Sequence, residues 1–212
     1  MNPKETYYET TANTIIQNMK KRQMEGYYCP TSADAVVLAC SFLAKDSVVS
    51  FGGSMTLEET GLLPLLREKE DIKLLDRAAA ASPEEVQQIY ARAFTADAYF
   101  MSTNAITLEG ELINIDGNGN RVAALIWGPK QVVILAGMNK VCSTLDDAYR
   151  RVKNIASPAN TIRLHKKTPC AQTGVCGDCY SPDCICSQTV ITRRSGTPGR
   201  IKVILIGEVL GY

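Results

Sequence analysis

Short apolar runs alternate with segments of helical periodicity along most of this chain, and that alternation restricts the fold more than any other feature. A helix is expected over 4–25, where Tyr8, Ala12, Ile15, Ile16 and Met19 share one face and Gly26 supplies a stop. Tyr27 to Pro30 reads as extended. A second helix over 32–44, capped by Thr31 or Ser32, buries Val36, Val37, Cys40 and Leu43. Strands are expected at Ser47–Phe51, Ile72–Leu75, Ala98–Met101, Val132–Leu135, Thr189–Thr192 and Arg200–Ile206. Helices fall between them. One starts at Met55 and is broken at Gly61 and Pro64. Another starts at Ser82-Pro83-Glu84-Glu85, with a cap, a proline and early acids in order. A third runs from Ser143 or Thr144 to about Ala156, with Ala148, Tyr149, Val152 and Ile155 inward. Strands that alternate with helices in this way predict an α/β fold, a mainly parallel sheet covered on both faces.

The segment Asn104–Arg121, NAITLEGELINIDGNGNR, interrupts the pattern. Glu109-Gly110, Asp116-Gly117 and Asn118-Gly119 are reversal signals, because these residues tolerate positive φ. The segment predicts an antiparallel meander of strands at about 104–109, 111–115 and 121–127. Turn chemistry accounts for Asp116 through Gly119. It does not require Asn104, Asn114 and Arg121 as well, so the meander reads equally as a decorated hairpin or as one wall of a ligand site.

Gly52-Gly53-Ser54 links a strand directly to a helix start that contains Thr56. Such a turn offers free N–H groups to an anion, although it matches neither dinucleotide-binding nor P-loop spacing. Ser102-Thr103-Asn104 follows another strand. In parallel sheets ligands bind beyond the carboxyl ends of the strands, so both turns are expected in one crevice. The candidate ligand-binding residues are therefore Gly52, Gly53, Ser54, Thr56, Thr103, Asn104, Gly119, Asn120 and Arg121. Glu109 and Asp116 are the candidate catalytic acid–base pair there.

Composition narrows the partners. The 23 basic and 22 acidic residues nearly cancel, and the basic clusters are short, which argues against a nucleic-acid face. No apolar run is long enough for a membrane span, and the first residues lack a signal-peptide core. A cytoplasmic chain with one α/β domain over 1–212 is expected. Eight cysteines in that setting point to thiols or metal ligands rather than disulfides. Five of them, Cys170, Cys176, Cys179, Cys184 and Cys186, crowd a Gly- and Pro-punctuated loop at 168–188 with the spacing C-x5-C-x2-C-x4-C-x-C. Thiolates suit zinc, copper(I) or an iron–sulfur cluster, and zinc or a cluster takes about four of them. Packed reduced thiols and a redox-active CxxC are the other readings. His165, the lone histidine, lies in a basic stretch and reads as surface.

The segments FGGSMTLEETGL, STNAITLEGELINIDGNGNRVAALIWGPKQVVILAGMNKV, TPCAQTGVCGDCYSPDCICS and RIKVILIGEVLGY together resemble the LUD-domain family, the lactate-utilisation protein C-like proteins, in a short-chain branch. The resemblance implies a fold like that of CoA transferases, ribose-5-phosphate isomerase and formyltetrahydrofolate cyclo-ligase. It implies a role in oxidation of L-lactate to pyruvate beside iron–sulfur subunits; the small anionic ligand expected in the crevice rests instead on the helix N-terminus behind Gly52, Gly53 and Ser54. Where the family pattern carries a basic residue before Ile185, this chain has Cys184. That difference makes Cys184 the spare sulfur and leaves Cys170, Cys176, Cys179 and Cys186 as the ligand set for zinc or a cluster. The family spacing Gly-Asn-x-Arg is tightened here to Gly119-Asn120-Arg121, so Arg121 stands as a candidate on its place in the meander. Two other functions fit the residues. One is a CoA-transferase-like enzyme with Glu109 as carboxylate nucleophile. The other is a non-enzymatic metal-loop module that docks to a partner.

Overall fold

The computed structural model describes residues 2–212. Helix α1, Pro3–Lys21, begins at a capping box: Asn2 and Glu5 each accept from the other's backbone N–H. It ends before the expected Gly26. That glycine instead lies in strand β1, Glu25–Cys29, where a Cβ would sit 2.8 Å from Ile16 Cγ1. The glycine thus serves close helix–strand packing rather than helix termination.

Then follow α2 (Ser32–Ser41, capped by Thr31), β2 (Val48–Phe51), α3 (Met55–Glu59), α4 (Leu62–Glu68), β3 (Lys73–Leu75), α5 (Pro83–Ala93, capped by Ser82) and β4 (Ala98–Met101). Next are β5 (Ala105–Thr107), β6 (Leu112–Asp116), α6 (Asn120–Ile126), β7 (Gln131–Gly137) and β8 (Val141–Cys142). Helix α7 (Leu145–Arg151) passes through a π-turn into α8 (Ser157–Arg163), further than the expected end at Ala156. The chain closes with α9 (Pro169–Thr173), β9 (Gln188–Thr192) and β10 (Ile201–Ile206).

Six strands in the order β1-β10-β7-β4-β2-β3 form a wholly parallel sheet. Its two faces are separated by the period of two along each strand. In β10, Val203 and Leu205 join the core under α1, and Ile204 and Ile206 join the core under α2, α3 and α4. In β7 the split is Val132 and Ile134 against Val133 and Leu135. Each of these side chains is fully buried, worth ~1.5–3 kcal/mol apiece.

The expected meander is half right. β5 and β6 pair antiparallel, but the third piece, 121–127, is helix α6. Asp116 accepts backbone N–H bonds from Asn118, Gly119 and Val122, and Gly119 takes φ +81° at the helix entry, so the turn launches a helix. The neighbour that β6 acquires instead is β9, in a second, four-stranded sheet of order β8-β5-β6-β9. Three side chains expected inside lie at the surface: Val37, Tyr149 and Ile155 are 73%, 43% and 53% exposed. Among the described residues no helix is long and apolar enough to cross a membrane.

Candidate functional site

Because the six strands run parallel, β2, β4, β7 and β10 end on one edge. Their exits bring Gly53, Ser54 and Thr56, then Ser102 to Asn104, then Lys140, and lastly Gly211 and Tyr212 around an inner cavity of about 70 Å³. Asn160 and Arg163 of α8 complete it. An outer crevice of about 360 Å³ shares Gly53, Asn104, Arg121 and Arg163 and adds Arg77, Asp116, Asn120 and Lys166.

Lys140 stands at the centre and is only 3% exposed. Its Nζ donates to the Thr56 hydroxyl at 2.8 Å and to the Ser102 hydroxyl at 2.9 Å. No carboxylate pairs with it among the described residues. Burial pushes its pKa down to about 7, the Arg151 and Arg121 guanidiniums push the same way, and Glu59 opposes them. Sequence reasoning passed over Lys140. The available signal was a lysine directly after the apolar run VVILAGMN, at a strand exit.

Arg121 lies beside it with every donor engaged. Nη1 donates to Ser102 O and Asn114 Oδ1, Nη2 donates to Asn104 Oδ1 and Ile115 O, and Nε faces Asp116 at 3.4 Å. It contributes charge to the cavity and has no hydrogen bond left to offer a ligand. Arg163 differs. Asn160 Oδ1 accepts from its Nε and Nη2, and Nη1 makes no hydrogen bond among the described residues. The Tyr212 hydroxyl is buried beside the Arg163 guanidinium, its polar neighbour, and burial holds it above the ordinary phenol value while Arg163 opposes.

The structure gathers Gly53, Ser54, Thr56, Thr103, Asn104 and Arg121 at the inner cavity, and Asp116 and Asn120 at the outer one. Gly52 and Gly119 are supports behind it. A Cβ on Gly52 would lie 3.2 Å from Arg121 Cγ and Cδ, and the Gly119 N–H is spent on Asp116. The turn is weaker as an N–H cradle than expected: α3 has one turn, Gly52 N–H is taken by Phe100 O, and Leu57 N–H by Ser54 Oγ. Positive charge there comes from the basic side chains. Glu109 is not brought to this site. It is exposed on the β5–β6 turn, which packs Gly110 against Met19 of α1, and its carbonyl accepts from Arg22. The acyl-transfer reading thereby loses its nucleophile, and Asp116, with both oxygens occupied by N–H groups and Arg121, is a helix cap rather than half of an acid–base pair.

All five loop cysteines line a separate cavity of about 520 Å³, divided from the outer crevice by Ile115, Ser157 and Ile185. Cys170 is buried, within hydrogen-bond reach of the Thr161 and Thr168 hydroxyls at 3.5 and 3.3 Å. The Cys186 backbone N–H donates to Cys184 Sγ, and burial, then nearby Cys184 and Cys176, push the Cys186 thiol up. Lys153 pairs with Asp178 and ties the loop to the π-turn. The donor chemistry suits a soft metal, but the arrangement does not: no group of three or more Cys, His, Asp or Glu among the described residues converges on one point. His165 is exposed, as expected.

The LUD domain pattern matches residues 12–206. This chain belongs to the LUD domain family. A DUF162 family protein from Deinococcus radiodurans shares the fold at 13% identity, with a TM-score of 0.50 over 95% of this chain and 98% of that one. Among solved structures similar to this LUD protein are ribose-5-phosphate isomerases from Neisseria gonorrhoeae and Plasmodium falciparum. These are 15% and 11% identical, with TM-scores of 0.34 and 0.33; they match 52% and 53% of this chain and 52% of each isomerase. No curated protein sequence matches it.

Proposed function

We propose that this LUD protein binds a short-chain carboxylate of the lactate and pyruvate class in the inner cavity, as its part in lactate utilisation. One observation carries the reading: Arg121, Lys140 and Arg163 line that cavity and no carboxylate side chain does. Lys140 is buried with no carboxylate partner, Arg121 adds the charge of a guanidinium whose own partner, Asp116, faces the outer crevice, and the exposed Arg163 stands at the rim. Holding a buried cation without a counter-charge is costly, and an anionic ligand relieves it. Size supports a small acid. A water needs ~10–15 Å³ of such volume, so about 70 Å³ holds a few heavy atoms and excludes an acyl-CoA head. Ser54, Thr56, Asn104 and Asn160 supply neutral hydrogen-bonding groups for a 2-hydroxyl or 2-oxo oxygen.

The family tie extends the reading to oxidation of L-lactate to pyruvate in company with iron–sulfur subunits. Co-purification with such subunits, and lactate-dependent reduction of a dye only when they are combined, tests that extension.

The binding reading is tested by calorimetry with L-lactate, pyruvate and a neutral analogue, lactamide. Both acids bind and lactamide does not. Lys140→Met weakens L-lactate by about tenfold or more, the worth of one charged hydrogen bond. Equal affinity for lactate and lactamide would end the proposal.

A further inference from the structure

Carboxylate binding leaves one property of Lys140 unused. The Thr56 hydroxyl donates to Leu210 O at 3.4 Å and the Ser102 hydroxyl to Thr103 O at 3.3 Å, so toward Nζ both act as acceptors. Two acceptors satisfy both hydrogens of a neutral amine and leave its lone pair as the remaining tetrahedral direction. An ammonium in the same place keeps a third hydrogen without a partner. Lys140 lines the inner cavity, so the reactive position of the nitrogen belongs to the space a ligand occupies. Burial and the neighbouring Arg151 and Arg121 favour the neutral amine, with only Glu59 opposing; desolvation and a nearby cation are general ways of activating a lysine as nucleophile.

The rest of the cavity defines the electrophile. Arg163 has Nη1 free to hold a carboxylate, and the small volume keeps that carboxylate close to Nζ. A ligand that spans both has its carbonyl next to its carboxylate. We propose that Lys140 forms an imine with a short 2-oxo acid, attacking the C2 carbon while Arg163 holds the carboxylate. The inference rests on the inner cavity being a carboxylate site.

The step balances without a redox partner. The Nζ lone pair makes the C–N bond, and the carbonyl π pair moves onto oxygen, which takes a proton. The nitrogen then loses a proton, the new hydroxyl takes up a proton in turn, and the nitrogen electron pair forms C=N as that oxygen departs as water, leaving the protonated imine. Tyr212 is placed to supply the first proton: its hydroxyl is buried beside Arg163, on the same cavity, and still protonated at neutral pH.

The test is reductive trapping on the full-length protein. Pyruvate and cyanoborohydride are added, and lysine adducts are mapped by peptide mass spectrometry, with pyruvate binding followed in parallel by calorimetry. Hydride reduction of the imine leaves a stable carboxyethyl-lysine. The expected result is an adduct on Lys140 at least about tenfold above any other lysine. It is absent when L-lactate replaces pyruvate, and it rises between about pH 6 and pH 8 as the amine loses its proton. Lys140→Arg keeps the charge and loses the adduct; should that variant fail to fold, the wild-type comparison of pyruvate with lactate decides. Pyruvate that binds without an adduct on Lys140 overturns the imine and leaves the carboxylate site standing. Adducts spread evenly over surface lysines also overturn it. Absence of binding by both acids overturns both readings.

Discussion

Arg121 Nε faces the Asp116 carboxylate at 3.4 Å across the turn that joins β6 to α6. The pair locks two walls of the site. Asp116 caps α6 with three backbone N–H bonds, and Arg121 carries the other end of the network to Asn104, Asn114 and the Ser102 carbonyl.

Removing Arg121 strands that network. Arg121→Met leaves the buried Asp116 without its cation and the Asn104 and Asn114 oxygens without a donor. A cost of about 3–5 kcal/mol is expected in urea denaturation. Asp116→Asn keeps the shape but has one acceptor oxygen, and about 1–3 kcal/mol is expected. Near-wild-type midpoints for both would show that the network is not what holds the turn.

Gly52→Ala probes the same residue from behind. The new Cβ would lie 3.2 Å from Arg121 Cγ and Cδ and from the Tyr99 hydroxyl. Close contacts of this kind cost about 1–3 kcal/mol by overpacking, and here they push Arg121 toward the cavity. L-lactate affinity in calorimetry should fall along with stability. Loss of stability with unchanged affinity would separate Arg121's position from binding.

The parallel sheet was legible because buried strands announce themselves as Val- and Ile-rich runs, and caps such as Ser82 and Thr144 act locally. The meander failed at 121–127 because its apolar residues Val122, Ala124 and Leu125 fit a short helix as well as a strand. A long-range cap decides between them: the Asp116 side chain holding N–H groups on the far side of the turn. Gly53, Ser54, Thr56 and Asn104 could be placed in one crevice from strand polarity alone. Lys140, Arg163 and Tyr212 could not, since only the folded chain brings the exits of β7 and β10 and the end of α8 onto Thr56 and Ser102. Glu109 misled for a related reason. A glutamate before glycine looks the same in sequence whether its turn faces a crevice or, as here, packs on α1.

The cysteine loop yields a test of which sulfurs act together. Cys170 is engaged by two threonine hydroxyls beneath α8, whereas Cys176, Cys184 and Cys186 neighbour one another. Since these sulfurs do not converge as they stand, a soft cation requires the loop to move, and its binding releases protons. Cadmium titration of the reduced protein is expected to give thiolate charge-transfer absorption that weakens as pH falls. Cys186→Ser should abolish it and Cys170→Ala should spare it at a modest cost in stability. Loss of the absorption in both variants would restore Cys170, Cys176, Cys179 and Cys186 as the ligand set. Metal analysis after anaerobic purification reports whether zinc or iron occupies the loop in cells.

Lys140 sets the pH response. Its value falls from an ordinary 10.5 to about 7 on folding. Between those values the unfolded chain holds a proton that the folded chain does not, so stability rises with pH across the window and flattens below it. Lys140→Met removes this dependence. Urea denaturation of both proteins at about pH 7 and about pH 9 should show the wild type gaining on the variant at the higher pH. Ligand binding runs the other way. An anion favours the ammonium, so L-lactate binds more weakly as pH rises through about 7, and a bound anion moves the midpoint upward. A lactate affinity that is flat across this range would mean that the carboxylate is held by the guanidinium groups alone.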